Sequence, residues 1–239
     1  NSNKLFSKQE ELGVKPIFIH ALYLINLASD KPELINKSVR SLIYDLKLDD
    51  LIKSSGVVVH LGSHQGRGWE AVKDQLVDKI KHILAETPAG GQLLIEDSAG
   101  QNGKIGSNLD EIRWLLDQVD DERLGWCVDT CHAFAAGYAL SPDSDLKSQS
   151  DKPDLATAIS DLDLWASLNC IHVNDSKAEF NSGNDRHENI NDGLIPQQDL
   201  KDFLNHTQVK SIPLITEVPG IDNDGPDEEN VNRLKNLLE

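Results

Sequence analysis

The chain has 239 residues, 38% hydrophobic and 26% charged, which is enough apolar content for a sizeable core and too much for a disordered chain. Asp and Glu number 40 against 23 Lys and Arg, a formal charge of −17, which argues against a polyanionic partner unless bound cations supply the positive field. No apolar run approaches the roughly 20 residues of a membrane span, residues 1–9 lack a signal-peptide core, and three cysteines make no disulfide framework. A soluble protein of a reducing, intracellular compartment is expected, with no membrane partner.

Six short apolar runs follow one another, each ahead of a segment with helical spacing. The first, 16–22 (PIFIHAL), precedes a helix with Ile35, Val39, Leu42 and Leu46 on one stripe and Pro32 near its start. After 56–61 (GVVVHL) the stripe is Trp69, Val72, Leu76, Ile80 and Ile83. After 92–96 (QLLIE) it is Leu109, Ile112, Leu116 and Val119. The run 124–129 (LGWCVD) is followed by a weaker helix at 161–168. A short helix at 198–205 follows 169–174 (NCIHVN), and 228–238 closes the chain after 212–217 (IPLITE). Runs this rich in Val, Ile and Leu suit parallel strands buried on both faces, so the pattern predicts repeated βα units around a parallel sheet. Residues 143–154 and 222–229 read as polar loops rather than linkers, and a single domain over 1–239 is expected.

Each run carries a His or a carboxylate at or near its C-terminal end: His20, His60, Glu96, Asp129, His172 and Glu217. Those ends form the functional face of a parallel α/β fold. A single His in an apolar run is ordinarily a satisfied core histidine, but six such groups at equivalent places are not explained by packing. Asp129 and His132 add a carboxylate and an imidazole three residues apart where a strand gives way to a loop. Asp185 and His187 stand two apart, on one side of an extended segment. Five His, two Asp and two Glu suit zinc or manganese better than calcium or magnesium, and with bridging they would hold about two or three ions. His64, His82 and His206 are left over, and His82 and His206 read as surface helix positions. Cys127 and Cys131 flank Asp129. A thiolate ligand is one reading of them; small buried filler is the plainer one.

Several segments together resemble the successive signatures of the endonuclease IV family, the apurinic/apyrimidinic (AP) endonucleases of base-excision repair. They are His20-Ala-Leu-Tyr-Leu-Ile-Asn26, His60-Leu-Gly-Ser-His64, Ile95-Glu-Asp-Ser-Ala-Gly-Gln101, Cys127-Val-Asp-Thr-Cys-His-Ala-Phe-Ala-Ala-Gly-Tyr138, Ile171-His-Val-Asn-Asp-Ser-Lys177 and Asp185-Arg-His187. The resemblance implies a TIM barrel holding three zinc ions, with manganese possible at one site. It places His20, His60 and Glu96 on one zinc, and Glu96, Asp129, His172 and Glu217 on a second, with Glu96 bridging and Glu96 and Glu217 catalytic. His132, Asp185 and His187 take the third. It further implies a monomer that cuts double-stranded DNA 5′ to abasic sites, leaving a 3′-hydroxyl and a 5′-deoxyribose phosphate. Tyr23 and Leu24 stand where the family inserts a Tyr-Leu pair into the minor groove; ordinary loop packing against the next helix is the plainer reading of those two.

The chain differs from the family pattern in places. Six strand runs fall short of a (β/α)8 barrel, position 1 is not Met, and the chain starts inside what resembles a family helix at 4–12, so the first two βα units are expected to be missing. Asn102, Asn191 and Pro196 stand where the family usually has Gly. Two other readings compete: a two-metal sugar isomerase or epimerase of the xylose-isomerase type, and a truncated paralogue that binds metal or abasic DNA without cutting it.

Overall fold

The computed structural model describes residues 2–13 and 15–238; the chain start at Asn1 lies outside them. Every apolar run becomes or contains a strand. In chain order the elements are α1 (Ser2–Leu12), β1 (Ile19–His20), α2 (Pro32–Ile52), β2 (Val57–Val59), α3 (Lys73–Ala85), β3 (Leu93–Glu96), α4 (Leu109–Val119), β4 (Leu124–Asp129), α5 (Thr130–Ala135), α6 (Leu155–Asp161), β5 (Leu168–His172), β6 (Asp175–Ser176), β7 (His187–Glu188), α7 (Gln197–Leu204), β8 (Leu214–Ile215) and α8 (Glu228–Leu237). Every residue of β2, β3 and β4 is buried, as a parallel sheet covered on both faces requires. Among the described residues no helix is long and apolar enough to cross a membrane.

The chain packs as two compact units, residues 1–96 with 114–126 and residues 97–113 with 127–239. In the first, β1, β2 and β3 are successive parallel neighbours, with Ile19 opposite Val57 and Val57 opposite Leu93. Helix α2 starts on Pro32, and near its end the buried Asp49 carboxylate accepts the Gln92 N–H at 2.9 Å, tying the helix to the entry of β3. In the second unit β4 neighbours β5, and β5 runs parallel to β8 with Ile171 opposite Leu214. The short strands β6 and β7 pair antiparallel, Asp175 opposite Glu188 and Ser176 opposite His187.

Four sequence expectations are corrected. The weak helix placed at 161–168 lies earlier, as α6, because Asp154 caps it by accepting the Thr157 N–H at 3.1 Å. The chain leaves the helix before Asp163, which has a left-handed φ of 51°. Only a single 3₁₀ turn, Trp165–Ser167, remains in the predicted span. Trp69 belongs to a 3₁₀ turn ahead of α3 rather than to the helix itself. On α4 the fully buried residue is Leu115, not Leu116. His82 is an exposed helix position as expected, but His206 sits in the turn after α7, half-buried and stacked on Trp165 with ring centroids 5.0 Å apart.

Candidate metal centre

In the first unit, three of the proposed ligands converge. His20 ends β1, His60 follows β2 by one residue and Glu96 ends β3. The Nε2 atoms of His20 and His60 lie 2.9 Å and 3.2 Å from the same oxygen, Oε2 of the fully buried Glu96. The other His20 nitrogen, Nδ1, is 2.9 Å from the Ala21 carbonyl. A carbonyl can only accept, so Nδ1 donates to it, and Nε2 is the ring nitrogen turned toward the carboxylate. A carbonyl-anchored imidazole that turns its other nitrogen toward a carboxylate is how metal-ligating histidines are commonly held.

The loop after β1 is fixed at its base and exposed at its tip. Asn26 N–H donates to Ser38 Oγ at 3.0 Å, its amide to the Ser63 carbonyl at 3.2 Å, and Leu27 N–H to the Leu61 carbonyl at 2.9 Å. Gly62, at φ +95°, lies so close that a Cβ there would sit within 2.5 Å of Asn26. Beyond these anchors Tyr23 is 66% and Leu24 80% exposed, with the Tyr23 ring edge-on to His60 at 6.4 Å. Simple burial against the next helix does not describe either side chain.

In the second unit Asp129 ends β4, His172 ends β5, and Glu217 lies two residues past β8. His172 Nδ1 is 3.1 Å from Glu217 Oε2 and 4.0 Å from Asp129 Oδ2. Asp185 and His187 come from the segment around β7, whose pairing with β6 sets their direction. His132 Nε2 is 3.3 Å from Asp185 Oδ2, and His187 Nε2 is 3.4 Å from Asp185 Oδ1 and 3.5 Å from Asp129 Oδ2. His187 repeats the arrangement of His20: its Nδ1 donates to the Glu217 carbonyl at 3.2 Å, while its buried Nε2 makes no hydrogen bond and faces carboxylates. Ligand atoms of Asp129, His132 and His187 lie within 4.8 Å of one another. Two imidazoles and carboxylates at that spacing fit a transition-metal ion.

Burial and charge tune the surrounding groups. Burial would raise the Asp185 carboxyl, but the hydrogen bond and charge of His132, with His187 and Lys104, outweigh it and hold the group well below the usual carboxylate range. Burial pushes the Asp97 carboxyl up to about 7 although His132 stands beside it, and the same cause, with the Asp129 charge, pushes the Cys131 thiol up to about 12. All three cysteines are buried and none is in a disulfide. Ligand atoms of Cys131, Asp185 and His187 nevertheless lie within 4.8 Å of one another, and so do those of Cys127, Cys170 and His172.

The sequence reading passed over several polar residues that hold this centre in place. Asp97 Oδ1 accepts the Asp129 N–H at 2.7 Å. Asn174 joins Asp129 to Glu217, donating to Asp129 Oδ2 at 2.6 Å and accepting the Glu217 N–H at 2.7 Å. The signal was present: Asn174 stands two residues after His172, hence on the same side of an extended chain. Asp175 gathers the N–H groups of Ser176, Asn191, Gly193 and Ile195 at 2.7–3.0 Å, sewing the 191–195 loop to the β6–β7 hairpin that carries His187. A Cβ on Gly193 would sit 2.4 Å from Asp175 Oδ1 and 2.6 Å from the Ser176 carbonyl. Gly193→Ala is therefore expected to cost about 1–3 kcal/mol, as overpacking does, read as a lowered urea midpoint, and to disturb the placement of His187. An unchanged midpoint would show that the loop yields freely. Asn102 and Asn191, which replace family glycines, adopt left-handed φ of 55° and 70°, a conformation Asn tolerates better than other side chains.

A family model described as "Xylose isomerase-like TIM barrel" matches residues 4–237. The protein named "Probable endonuclease 4" of Halothermothrix orenii is 39% identical over 233 residues, 97% of this chain and 82% of that protein. The crystal structure of endonuclease IV from Thermus thermophilus superposes with a TM-score of 0.80 at 30% identity, covering 99% of this chain and 79% of that one. A 3-keto-D-glucoside 4-epimerase from E. coli matches with a TM-score of 0.69 at 14% identity, covering 99% of this chain and 84% of that one, a likeness of fold alone. The barrel family over nearly the whole chain, with more than a third of residues shared with an endonuclease 4, makes this chain a member of the endonuclease IV family of xylose isomerase-like TIM barrels.

Proposed function

We propose that the chain is a zinc-dependent AP endonuclease, a single-domain monomer acting on DNA inside the cell. It hydrolyses the phosphodiester 5′ to an abasic site in duplex DNA and leaves a 3′-hydroxyl and a 5′-deoxyribose phosphate. The observation that carries this reading is the pair of carbonyl-anchored imidazoles, His20 and His187, each turning its Nε2 toward carboxylates. Family membership favours endonuclease chemistry over sugar isomerisation.

On the family resemblance His20, His60 and Glu96 hold one zinc, Glu96, Asp129, His172 and Glu217 a second, and His132, Asp185 and His187 a third, with manganese an alternative at one. Bound zinc supplies a water acidic enough to ionise near neutral pH and positive charge at the attacking and leaving oxygens. The Ala21 and Glu217 carbonyls keep His20 and His187 in the tautomer that ligates. Glu217, one-third exposed beside His172, is the carboxylate that reaches solvent and orients an incoming water. Tyr23 and Leu24 enter the minor groove and fill the gap where a base is missing; an abasic nucleotide has no base to unstack, so extruding it costs little.

A duplex carrying one abasic site is expected to be nicked once by the zinc-loaded chain, leaving an end that a DNA polymerase extends. A duplex shifted in a gel but left intact would support the non-cleaving paralogue, and an untouched one the sugar isomerase. Elemental analysis after dialysis is expected to find about two to three zinc ions per chain, and removing them with a chelator should lower the melting temperature because the clustered carboxylates then repel. Fewer than about one transition metal per chain would sink the metal centre.

A further inference from the structure

We infer that Asn174, held by Thr130, is a positioning residue for the metal centre, fixing which oxygen of Asp129 is offered to a cation and where Glu217 begins. The inference rests on the reading of Asp129 and Glu217 as ligands.

Both Asp129 oxygens are engaged, and unequally. Oδ1 accepts the N–H groups of Cys131 at 2.7 Å and His132 at 3.2 Å, capping α5, the helix that carries His132. That oxygen is occupied by the local fold. Oδ2 accepts one hydrogen bond, from the Asn174 amide at 2.6 Å, and is the oxygen that His187 and His172 face. A carboxylate oxygen has two acceptor directions. Asn174 takes one and leaves the other for a single cation, so Asp129 is preset to ligate through one oxygen rather than as a chelating pair. Low coordination number of this kind suits zinc better than the larger oxygen-rich shells of calcium.

The same amide works in the other direction. Asn174 Oδ1 accepts the Glu217 N–H at 2.7 Å, so one planar group spans a ligand on β4 and the backbone that launches a ligand beyond β8. Its orientation cannot invert without setting N–H against N–H at Glu217 and oxygen against oxygen at Asp129. The backbone of Asn174 is in turn pinned from both sides by one hydroxyl: Thr130 Oγ1 donates to the Asn174 carbonyl at 2.7 Å and accepts its N–H at 2.9 Å. Thr130 and Asn174 are both fully buried, so no water competes for these bonds.

The test measures zinc rather than DNA cleavage. Competition against a chromophoric chelator gives zinc affinity, the visible spectrum of the Co²⁺-substituted protein reports coordination number, and thermal melting of the zinc-free protein reports folding. Asn174→Ala is expected to weaken the affected zinc by about 10–100-fold and to replace the strong visible band of four-coordinate Co²⁺ by a weaker one, while the zinc-free protein still melts cooperatively. Thr130→Val, which keeps the shape and loses the hydroxyl, should give a milder form of the same change, and Thr130→Ser should restore wild-type behaviour. Should Asn174→Ala not fold, the Thr130 pair decides. Wild-type zinc affinity and an unchanged Co²⁺ spectrum in Asn174→Ala or Thr130→Val overturn the inference, as does equal damage in Thr130→Ser and Thr130→Val. A wild-type chain that holds zinc but leaves abasic DNA intact overturns the endonuclease reading alone; one that holds no zinc overturns both.

Discussion

Glu96→Gln is expected to slow cleavage of abasic DNA by at least about a hundredfold while leaving the zinc-free fold intact. Oε2 of Glu96 lies 2.9 Å and 3.2 Å from the Nε2 atoms of His20 and His60, so it marks the point where the two rings converge. The amide removes the negative charge that draws a cation there. Zinc-free Glu96→Gln should still melt cooperatively, whereas its zinc content and single-turnover rate should fall together. A wild-type rate in Glu96→Gln would show that the carboxylate is wrongly assigned. A lowered zinc-free melting temperature with full zinc content would show that Glu96 serves the fold instead.

The strands were legible in the sequence because a strand buried on both faces needs a run of Val, Ile and Leu, and such runs are rare by chance. Val57–Val59 and Leu93–Glu96 lie inside the predicted runs, and Leu124–Asp129 matches its run end to end. The ligands were legible for a related reason: a His or carboxylate ending an apolar run is expensive to bury and calls for a partner. What escaped was short or polar. The β6–β7 hairpin has two residues per strand, too few for any periodicity, yet it places His187. Helix α6 is set by the Asp154 cap and a left-handed Asp163, local signals weaker than an apolar stripe. Asn174, Thr130 and Asp97 are polar residues beside stronger ligands, and their use appears only when β4, β5 and the start of α5 are brought together within the second unit. Asn102 and Asn191 stand where the family resemblance expects Gly, and with left-handed φ they are in backbone terms the nearest available substitutes.

Asp129→Asn is expected to combine a loss of activity of at least about a hundredfold with a loss of stability of about 1–3 kcal/mol. The wild-type carboxylate accepts on both oxygens, from the Cys131 and His132 N–H groups on one side and from Asn174 on the other. An amide has only one accepting atom. If its oxygen keeps the cap of α5, its NH₂ meets the Asn174 NH₂. Turning Asn174 over to accept moves the conflict to the Glu217 N–H, and turning residue 129 over uncaps α5. No arrangement satisfies every buried donor, and an unsatisfied buried group costs about 1–3 kcal/mol. An opposing term exists, since Asp129 repels Asp97 and removing its charge relieves that pair. Near neutral pH the relief is partial, because burial already pushes the Asp97 carboxyl up to about 7 and so favours its protonated form before any substitution. The hydrogen-bond loss is the larger effect, and urea unfolding of the zinc-free proteins at neutral pH should show Asp129→Asn unfolding first. A zinc-free Asp129→Asn as stable as the wild type would mean that the buried network reorganises without cost, leaving metal ligation as the sole task of Asp129.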